Sequence, residues 1–375
     1  RNILYISCME IIGLIAEYNP FHNGHLYHIN KIKKMYPDSL LVLVLNGYFL
    51  QRGEPSIISK YDKTHISLLS GVDIVLELPV LYGTQSADTF SNISIKLLNY
   101  FKVKKIIFGS ECDDIEKIKL IAKKSIENHN NENIKVHLKN GLNYPTALSK
   151  VINEDFSYNS NDLLGICYVK SILTNNFLIE SQTIKRTNDY LDKESNDDII
   201  SALNIREKIK NNKDIKRYLP NYSMDKIIKI DTSLLFNLIK IQILNNDISD
   251  VLDVDMSMNY LLKKAIKNVD NLEELIKNIK SKKYTYNKIN RMLIHILLNI
   301  KKNDANLEIE YINILGFSQK GKDYINKIKK NISIPIKKDK KSITYNYELK
   351  SAIIYDMITG CNEQKKELAN KPIII

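Results

Sequence analysis

The sequence predicts an α/β fold in which a parallel-sheet domain is followed by a mainly α-helical one, and three observations predict it. Apolar runs of strand length, Ile11–Ala16, Leu40–Leu45, Val72–Pro79 and Val103–Phe108, alternate with helical patterns, the rhythm of βαβ units in a doubly wound sheet. Beyond about residue 207 the strand signals fade, and charged helices patterned with Ile and Leu run to the end. The 375 residues suffice for two domains that each bury a core, with no internal repeat or low-complexity linker between them.

The first run, Ile11 to Ala16, reads as a buried parallel strand that breaks at Asn19-Pro20 and resumes as a helix through His22-Asn23-Gly24-His25 to His28. Pro20 suits a first helical turn because its backbone angle is preset and it has no N–H to leave unpaired. The helix N-terminus that follows offers free N–H groups and partial positive charge, which attract phosphate. His22 and His25, three residues apart, share its ligand-facing side, and Gly24 keeps a side chain out of their way. Such a pocket suits a nucleoside triphosphate, with imidazoles bonding phosphate oxygens as charge builds on departing pyrophosphate. Two plainer readings compete: helix histidines without a role, and a metal site on His22, His25 and His28. The metal reading has Glu17 as its nearby carboxylate and no Cys to complete a ligand set.

Leu40–Leu45 is the second strand; the turn Asn46-Gly47 and the polar run Phe49–Pro55 follow it. Ligands of open α/β sheets bind at the carboxyl ends of strands, so Gln51, Arg52 and Glu54 are placed to meet substrate. Lys60–Ser70 reads as a helix, Val72–Pro79 as the third strand, Gln85–Tyr100 as a helix and Val103–Phe108 as the fourth strand. Gly109 ends that strand, where a missing side chain lets a nucleotide come close; a turn glycine would look the same. Asn161 opens an apolar helix, which by itself makes it a cap. Ile179–Lys185 is the fifth strand, and Arg186 at its end is a fixed, planar cation suited to phosphate. Asn287–Ile300 is helical, with apolar groups at 289, 292, 293, 296, 297 and 300 on one face. Lys282, Lys283, Lys288 and Arg291 make the neighbouring face basic, either solvated surface or a docking site for a polyanion.

The formal charge of +12 and pI near 9.1 favour polyanionic partners, although a Lys-, Ile- and Asn-rich composition also follows from genomic base bias. Cys8, Cys112, Cys167 and Cys361 are scattered without a Cys-x-x-Cys pair, as in a reducing cytoplasm. No apolar stretch approaches the ~20 residues of a membrane span, so a soluble cytoplasmic protein is expected. Met9 is a natural start just before the first strand, so residues 1–8 are read as an over-extended N-terminus without function.

Glu17-Tyr-Asn-Pro-Phe-His-Asn-Gly-His25 resembles the HxGH signature of the nucleotidyltransferase superfamily, in the form found in bacterial tRNA(Met) cytidine acetate ligases. The segments Gln51-Arg-Gly-Glu-Pro55, Ser281-Lys-Lys-Tyr-Thr-Tyr286, Ile314-Leu-Gly-Phe317 with Gly321, and Lys371-Pro-Ile look like family segments in family order. The resemblance implies a Rossmann-like nucleotidyltransferase domain over residues 9–195 and a basic, tRNA-binding helical domain over 196–375. It also implies a two-step reaction, in which ATP activates acetate to acetyl-adenylate and N4 of the wobble cytidine of elongator tRNA(Met) then takes the acetyl group and releases AMP. By the same resemblance His22 and His25 are catalytic. ATP contacts are implied for Ile15, Ala16, Glu17, Tyr18, Asn19, Pro20, Phe21, His22, Asn23, Gly24, His25, Leu26, Tyr27 and His28, and for Gly109, Asn161 and Arg186. Arg52, Ser201 and Arg206 follow as phosphate or substrate contacts, the last two from Asn196–Arg206, which resembles the superfamily's second phosphate motif. Lys282, Lys283, Lys288 and Arg291 would meet tRNA.

ATP is the implied co-substrate, with magnesium carried on the nucleotide rather than by the protein alone; acetate and tRNA are the other partners, with no obligate protein partner. The chain departs from the family at Asn46, where a serine is usual, at Tyr48, where an asparagine is usual, and at Ala202 and Leu203, where hydroxyls are common. The alternatives are a small-molecule adenylyltransferase acting on phosphopantetheine or nicotinate mononucleotide, which the basic helical half disfavours, and a catalytically inactive RNA-binding relative.

Overall fold

The computed structural model describes residues 9–128, 131–140, 142, 144–152, 160–186 and 198–375. The readings of residues 1–8, of Cys8 and of positions 141, 143, 196 and 197 lie outside the described residues. The first half runs β1 (Ile11–Ala16), α1 (Asn23–Met35), β2 (Leu40–Asn46), α2 (Lys60–Leu69), β3 (Ile74–Leu78), α3 (Val80–Gly83), α4 (Ala87–Tyr100) and β4 (Lys105–Ser110). It continues through α5 (Ile115–Glu127), α6 (Glu132–Lys139), α7 (Tyr144–Ile152), α8 (Ser160–Thr174) and β5 (Glu180–Lys185). Helices then dominate: α9 (Ala202–Lys210), α10 (Asn221–Met224), α11 (Thr232–Asn245), α12 (Met256–Ala265), α13 (Leu272–Ile279) and α14 (Tyr286–Leu298). β6 (Ile314–Phe317), α15 (Gln319–Ile328), α16 (Ile343–Thr359), α17 (Glu363–Ala369) and β7 (Ile373–Ile374) complete the chain.

The seven strands form one sheet in the order β5-β4-β1-β2-β3-β6-β7. β1 to β5 are mutually parallel, β6 runs antiparallel to β3, and β7 is parallel to β6. β2 lies between β1 and β3 and every one of its residues is buried, which is why it reads as an unbroken Leu/Val run rather than an alternating one. At about 2 kcal/mol per large apolar side chain removed from water, Leu40 to Leu45 anchor the sheet on both faces. Successive side chains point oppositely, so Leu40, Val42 and Val44 join one apolar cluster and Leu41, Leu43 and Leu45 the other.

Two sequence expectations change here. Strands do not end before residue 207, because Ile314–Phe317 and Ile373–Ile374, beyond the composition shift, extend the sheet past β3. Nor does α14 carry an apolar face opposite an exposed basic one, because every residue from Met292 to Leu298 is buried. The helix is enclosed on all sides there, and its exposed residues are confined to the first turn and the segment before it.

Beneath the sheet edge sits a buried charge network. The Lys60 ammonium, at the start of α2, ion-pairs with Glu77 of β3, with Glu348 of α16 at 3.3 Å and with Glu367 of α17 at 2.7 Å. Lys338 pairs with Glu367 and lies 3.8 Å from Glu77, which also accepts from Asn313 Nδ2 at 2.7 Å. Oxygens of Glu77, Glu348 and Glu367 lie within 4.8 Å of one another, as in a cation site, but the two lysines supply the positive charge. Tyr48 belongs to this network: its ring lies 4.5 Å from Lys60 Nζ and its hydroxyl reaches Glu363 and Glu367 at 3.4 Å. The departure at position 48 is therefore a core substitution. Among the described residues no helix is long and apolar enough to cross a membrane.

Candidate active site

The carboxyl ends of β1, β4 and β5, together with α1, α8, α9 and the start of α14, enclose a cavity of about 830 Å³. The sequence places Pro20 in the first turn of α1, but the helix starts at Asn23, with His22 as its N-cap in an extended conformation. His22 Nδ1 accepts from the Gly24 N–H at 3.0 Å, and His25 Nδ1 accepts from the His22 N–H at 3.2 Å. Two imidazoles thus form a reciprocal capping box, a task usually left to Ser or Thr and Glu. Of the helix-start N–H groups expected to be free, that of Gly24 is consequently engaged.

That engagement determines the chemistry. A ring nitrogen that accepts from the backbone carries no proton, so both histidines hold theirs on Nε2 as neutral donors. Burial, then Arg186 and Arg206, pushes His22 down to about 3; burial and then His22 hold His25 well below the ordinary range. The rings stack with centroids 3.8 Å apart. A Cβ on Gly24 would lie 2.8 Å from His22 Cε1, so the glycine is what permits the stack. His28 lies one turn on, pushed down to about 4 by burial, with Nε2 buried and unpartnered.

Not all of the 15–28 stretch meets the cavity. Ile15, Ala16, Glu17, Tyr18, Asn19, His22, Gly24, His25, Tyr27 and His28 line it. Phe21 is fully buried in the core, Leu26 packs against the same apolar cluster, and Asn23 Nδ2 donates to the carbonyls of Asp198 and Arg217. Gly109, Asn161 and Arg186 come together on the β4/β5 side, where a Cβ on Gly109 would meet Arg186 Cγ at 3.4 Å. Asn161 lies inside the first turn of α8, one residue past its start, rather than at the cap.

Arg52 donates to Ser160 Oγ at 3.2 Å. Ser201 caps α9 by accepting from Asn204 N, and Arg206 pairs with Glu54 at 3.0 Å and donates to Asn19 O at 2.7 Å. All three line the cavity, as do Ala202 and Leu203 in place of hydroxyls. Lys282, Lys283, Lys288 and Arg291 do not share one environment. Lys282 is exposed, Lys283 pairs with Asp255 at 2.8 Å, Lys288 lies 5.2 Å from the centre of the Tyr284 ring, and Arg291 is on the cavity wall.

Glu111, which sequence reasoning left without a role, accepts from Asn161 Nδ2 at 2.5 Å and from Asp162 N at 3.1 Å, and lies 3.7 Å from Arg186 Nε. Asp162 returns the clamp, accepting from the Glu111 and Cys112 N–H groups at 3.0 and 3.1 Å. A carboxylate directly after the end of β4 was the available signal; its partners, 50 and 75 residues away, are set by the fold. Behind the site, Lys63 Nζ donates to the carbonyls of Glu17, Asn46 and Gly47, tying the ends of β1 and β2. Asn46 donates to both Glu17 Oε1 at 2.9 Å and Gly83 O at 3.0 Å, two bonds that the usual serine hydroxyl, with one proton, cannot donate.

The family model described as HIGH Nucleotidyl Transferase matches residues 9–371. The tRNA(Met) cytidine acetate ligase of Fusobacterium nucleatum subsp. nucleatum is 36% identical, over 96% of this chain and 93% of that protein. Two crystal structures of Thermotoga maritima TmcAL share the fold. The apo form I has a TM-score of 0.88 at 25% identity over 98% of this chain and 100% of its own. The form bound with alpha-thio ATP has a TM-score of 0.84 at 24% identity over 98% and 99%. With its imidazole-capped HxGH helix at the carboxyl edge of the sheet, the chain belongs to the HIGH nucleotidyl transferases and, among them, to the tRNA(Met) cytidine acetate ligase family.

Proposed function

We infer that the protein joins acetate to N4 of the wobble cytidine of elongator tRNA(Met) through an acetyl-adenylate, giving N4-acetylcytidine, AMP and pyrophosphate. The observation that carries this reading is the pair of Nε2-protonated imidazoles, His22 and His25, at a cavity that Arg186 and Arg206 also line. An acetate oxygen attacks the α-phosphorus of ATP and pyrophosphate leaves. Neutral Nε2–H donors stabilise the charge growing on the leaving group and, unlike imidazolium ions, need no proton drawn from solution. Arg186 and Arg206 contribute fixed charge, while Gly109 and Asn161 hold the nucleoside.

Glu17 Oε1 is held by Asn46 and Gln51, and Glu54 by Arg206, so neither carboxylate has both oxygens to give to a metal ion. Magnesium therefore fits as an ion carried on the triphosphate, where it would neutralise phosphate charge. Lys282 and Lys288, outside the cavity, are proposed to meet the tRNA backbone, and ATP and tRNA as substrates fit the cytoplasm. The test is pyrophosphate release from ATP with a panel of short acids, with and without tRNA(Met), followed by mass analysis of the RNA nucleosides. Acetate-dependent release and N4-acetylcytidine are expected; adenylation of phosphopantetheine or nicotinate mononucleotide instead would overturn the reading.

A further inference from the structure

We propose that the β2 side of the cavity, from Glu17 to Arg291, is the subsite for the acceptor nucleotide, a pyrimidine nucleotide with an exocyclic amine. Glu17 receives the amine and Arg291 the nucleotide's phosphate. This rests on the acyl-transfer reading above and assigns the second substrate a place within it.

Sheet order separates two sides of the cavity. Gly109 near the end of β4 and Arg186 just past β5 lie on one flank of β1; Asn46, the last residue of β2, and Gln51 beyond it lie on the other. Glu17, just past β1, is turned toward the second flank, because its Oε1 accepts from Asn46 Nδ2 at 2.9 Å and from Gln51 N at 2.7 Å. Oε2 takes no hydrogen bond among the described residues, and Glu17 lines the cavity. A carboxylate oxygen in a site otherwise rich in cations is matched by a donor on the ligand, and the reactive donor of this reaction is the acceptor's amine.

Arg291 supplies the other half. The start of α14 sits directly on the Gln51–Glu54 loop: Gly53 has φ +75°, and a Cβ there would lie 2.2 Å from Arg291 N. Arg291, which the sequence places on an exterior basic face, instead lines the cavity beside Asn287. Its Nε is buried without a partner, and among the described residues its guanidinium forms no hydrogen bond; the nearby Asp253 carboxylate lies 3.2 Å from His295 Nδ1. A desolvated guanidinium facing a cavity calls for an anion, and its planar fork suits phosphate.

In the transfer step the amine nitrogen bonds to the acetyl carbonyl carbon and the carbon–oxygen bond to AMP breaks. The electron pair leaves on the phosphate oxygen, and the amine proton passes to Glu17 Oε2.

The experiment measures, for Glu17→Gln, Arg291→Met and Arg291→Lys, acetate-dependent ATP–pyrophosphate exchange beside acetyl transfer to a tRNA(Met) transcript at several salt concentrations. Glu17→Gln should lower the ratio of transfer to exchange by about 100-fold, the scale of a lost general base. Arg291→Met should raise the tRNA KM by about 10-fold and flatten its salt dependence, with Arg291→Lys recovering part of both. Exchange reports folding, so a collapsed variant is recognised by loss of both readings together with its unfolding transition. Parallel loss of exchange and transfer in folded variants, or a raised ATP KM with tRNA KM unmoved, would place both side chains on ATP and overturn the subsite. Wild-type protein that exchanges pyrophosphate but acetylates no RNA would instead remove the acyl-transfer reading itself.

Discussion

A histidine is ordinarily useful near neutral pH because it titrates there; His22 and His25 are built so that they do not. Each gives Nδ1 to a backbone N–H, and burial keeps both neutral. In the proposed mechanism each supplies one transition-state donor, so replacing either by Ala should lower acyl-adenylate formation about 100-fold or more with the fold retained, measured as acetate-dependent pyrophosphate exchange. Near-wild-type exchange in a folded double variant would refute the role. The same burial makes a stability prediction. A histidine whose value is depressed in the folded state favours folding fully above its ordinary value of about 6.5, and that contribution drains away as pH falls toward about 3 for His22 and about 4 for His28. Denaturant midpoints should thus drop between neutral pH and about pH 5, and less so in His22→Ala. Unequal legibility of the site has a physical cause. His22, Gly24, His25 and Arg186 are local signals, two histidines flanking a glycine on one turn and a base at a strand end. Glu111 is placed by Asn161, Asp162 and Arg186, and Arg291 is brought to the cavity by the packing of α14 on the Gln51–Glu54 loop, so the fold and not a local pattern sets both positions.

At the scale of elements, α1 is capped by the two imidazoles to which the proposed mechanism assigns the chemistry, so its start and that chemistry are coupled. Gly24→Ala would press a Cβ to 2.8 Å from His22 Cε1 and to 3.0 Å from its Nδ1. The imidazole must rotate, breaking the cap and moving its Nε2–H. Because displacements near 1 Å cost about 100-fold in oriented catalysis, adenylate formation should fall by about that much while thermal stability drops only a little. A variant with unchanged kcat would show that the stack is incidental. The strands most legible in the sequence, β1 to β4, are apolar and largely buried runs, whereas β5 at the sheet edge is polar and buries only Ile184. β6 and β7, of four and two residues, are too short to show a period in the sequence, and their pairing is decided by the sheet they meet. The misreading of α14 has a similar origin: its apolar stripe is real, but Ile294 and His295, off that stripe, are buried as well.

Across the whole molecule, one buried ionic knot joins parts of the chain just over 300 residues apart, Lys60 and Glu367. Lys60 from α2 and Lys338 face Glu77 of β3, Glu348 of α16 and Glu367 of α17, with nearly complete exclusion of solvent. Fully ionised, three carboxylates against two ammonium groups would leave one negative charge in excess. The knot relieves it through Glu348, whose carboxyl is pushed up to about 8 by burial first and then by Glu77. Lys60→Met should therefore destabilise the protein by about 3–5 kcal/mol in urea unfolding, since it strands carboxylates that Lys338 alone cannot neutralise. Lys60→Met with Glu367→Leu should recover part of that loss, because a missing charge pair costs less than an unpaired charge. The pH dependence follows with its own sign. A carboxyl raised in the folded state favours folding fully below its ordinary value of about 4.5, and the contribution is lost as pH rises through about 8. Stability should thus decline on the alkaline side, opposite in direction to the histidine effect, and Glu348→Gln, which holds a neutral side chain at every pH, should flatten the decline. Unfolding measured from about pH 6 to about pH 9 in the two proteins distinguishes the cases. Equal slopes would mean that the excess charge is relieved elsewhere, whereas a flat variant beside a declining parent would identify Glu348 as the proton carrier of the contact between the sheet and its C-terminal helices.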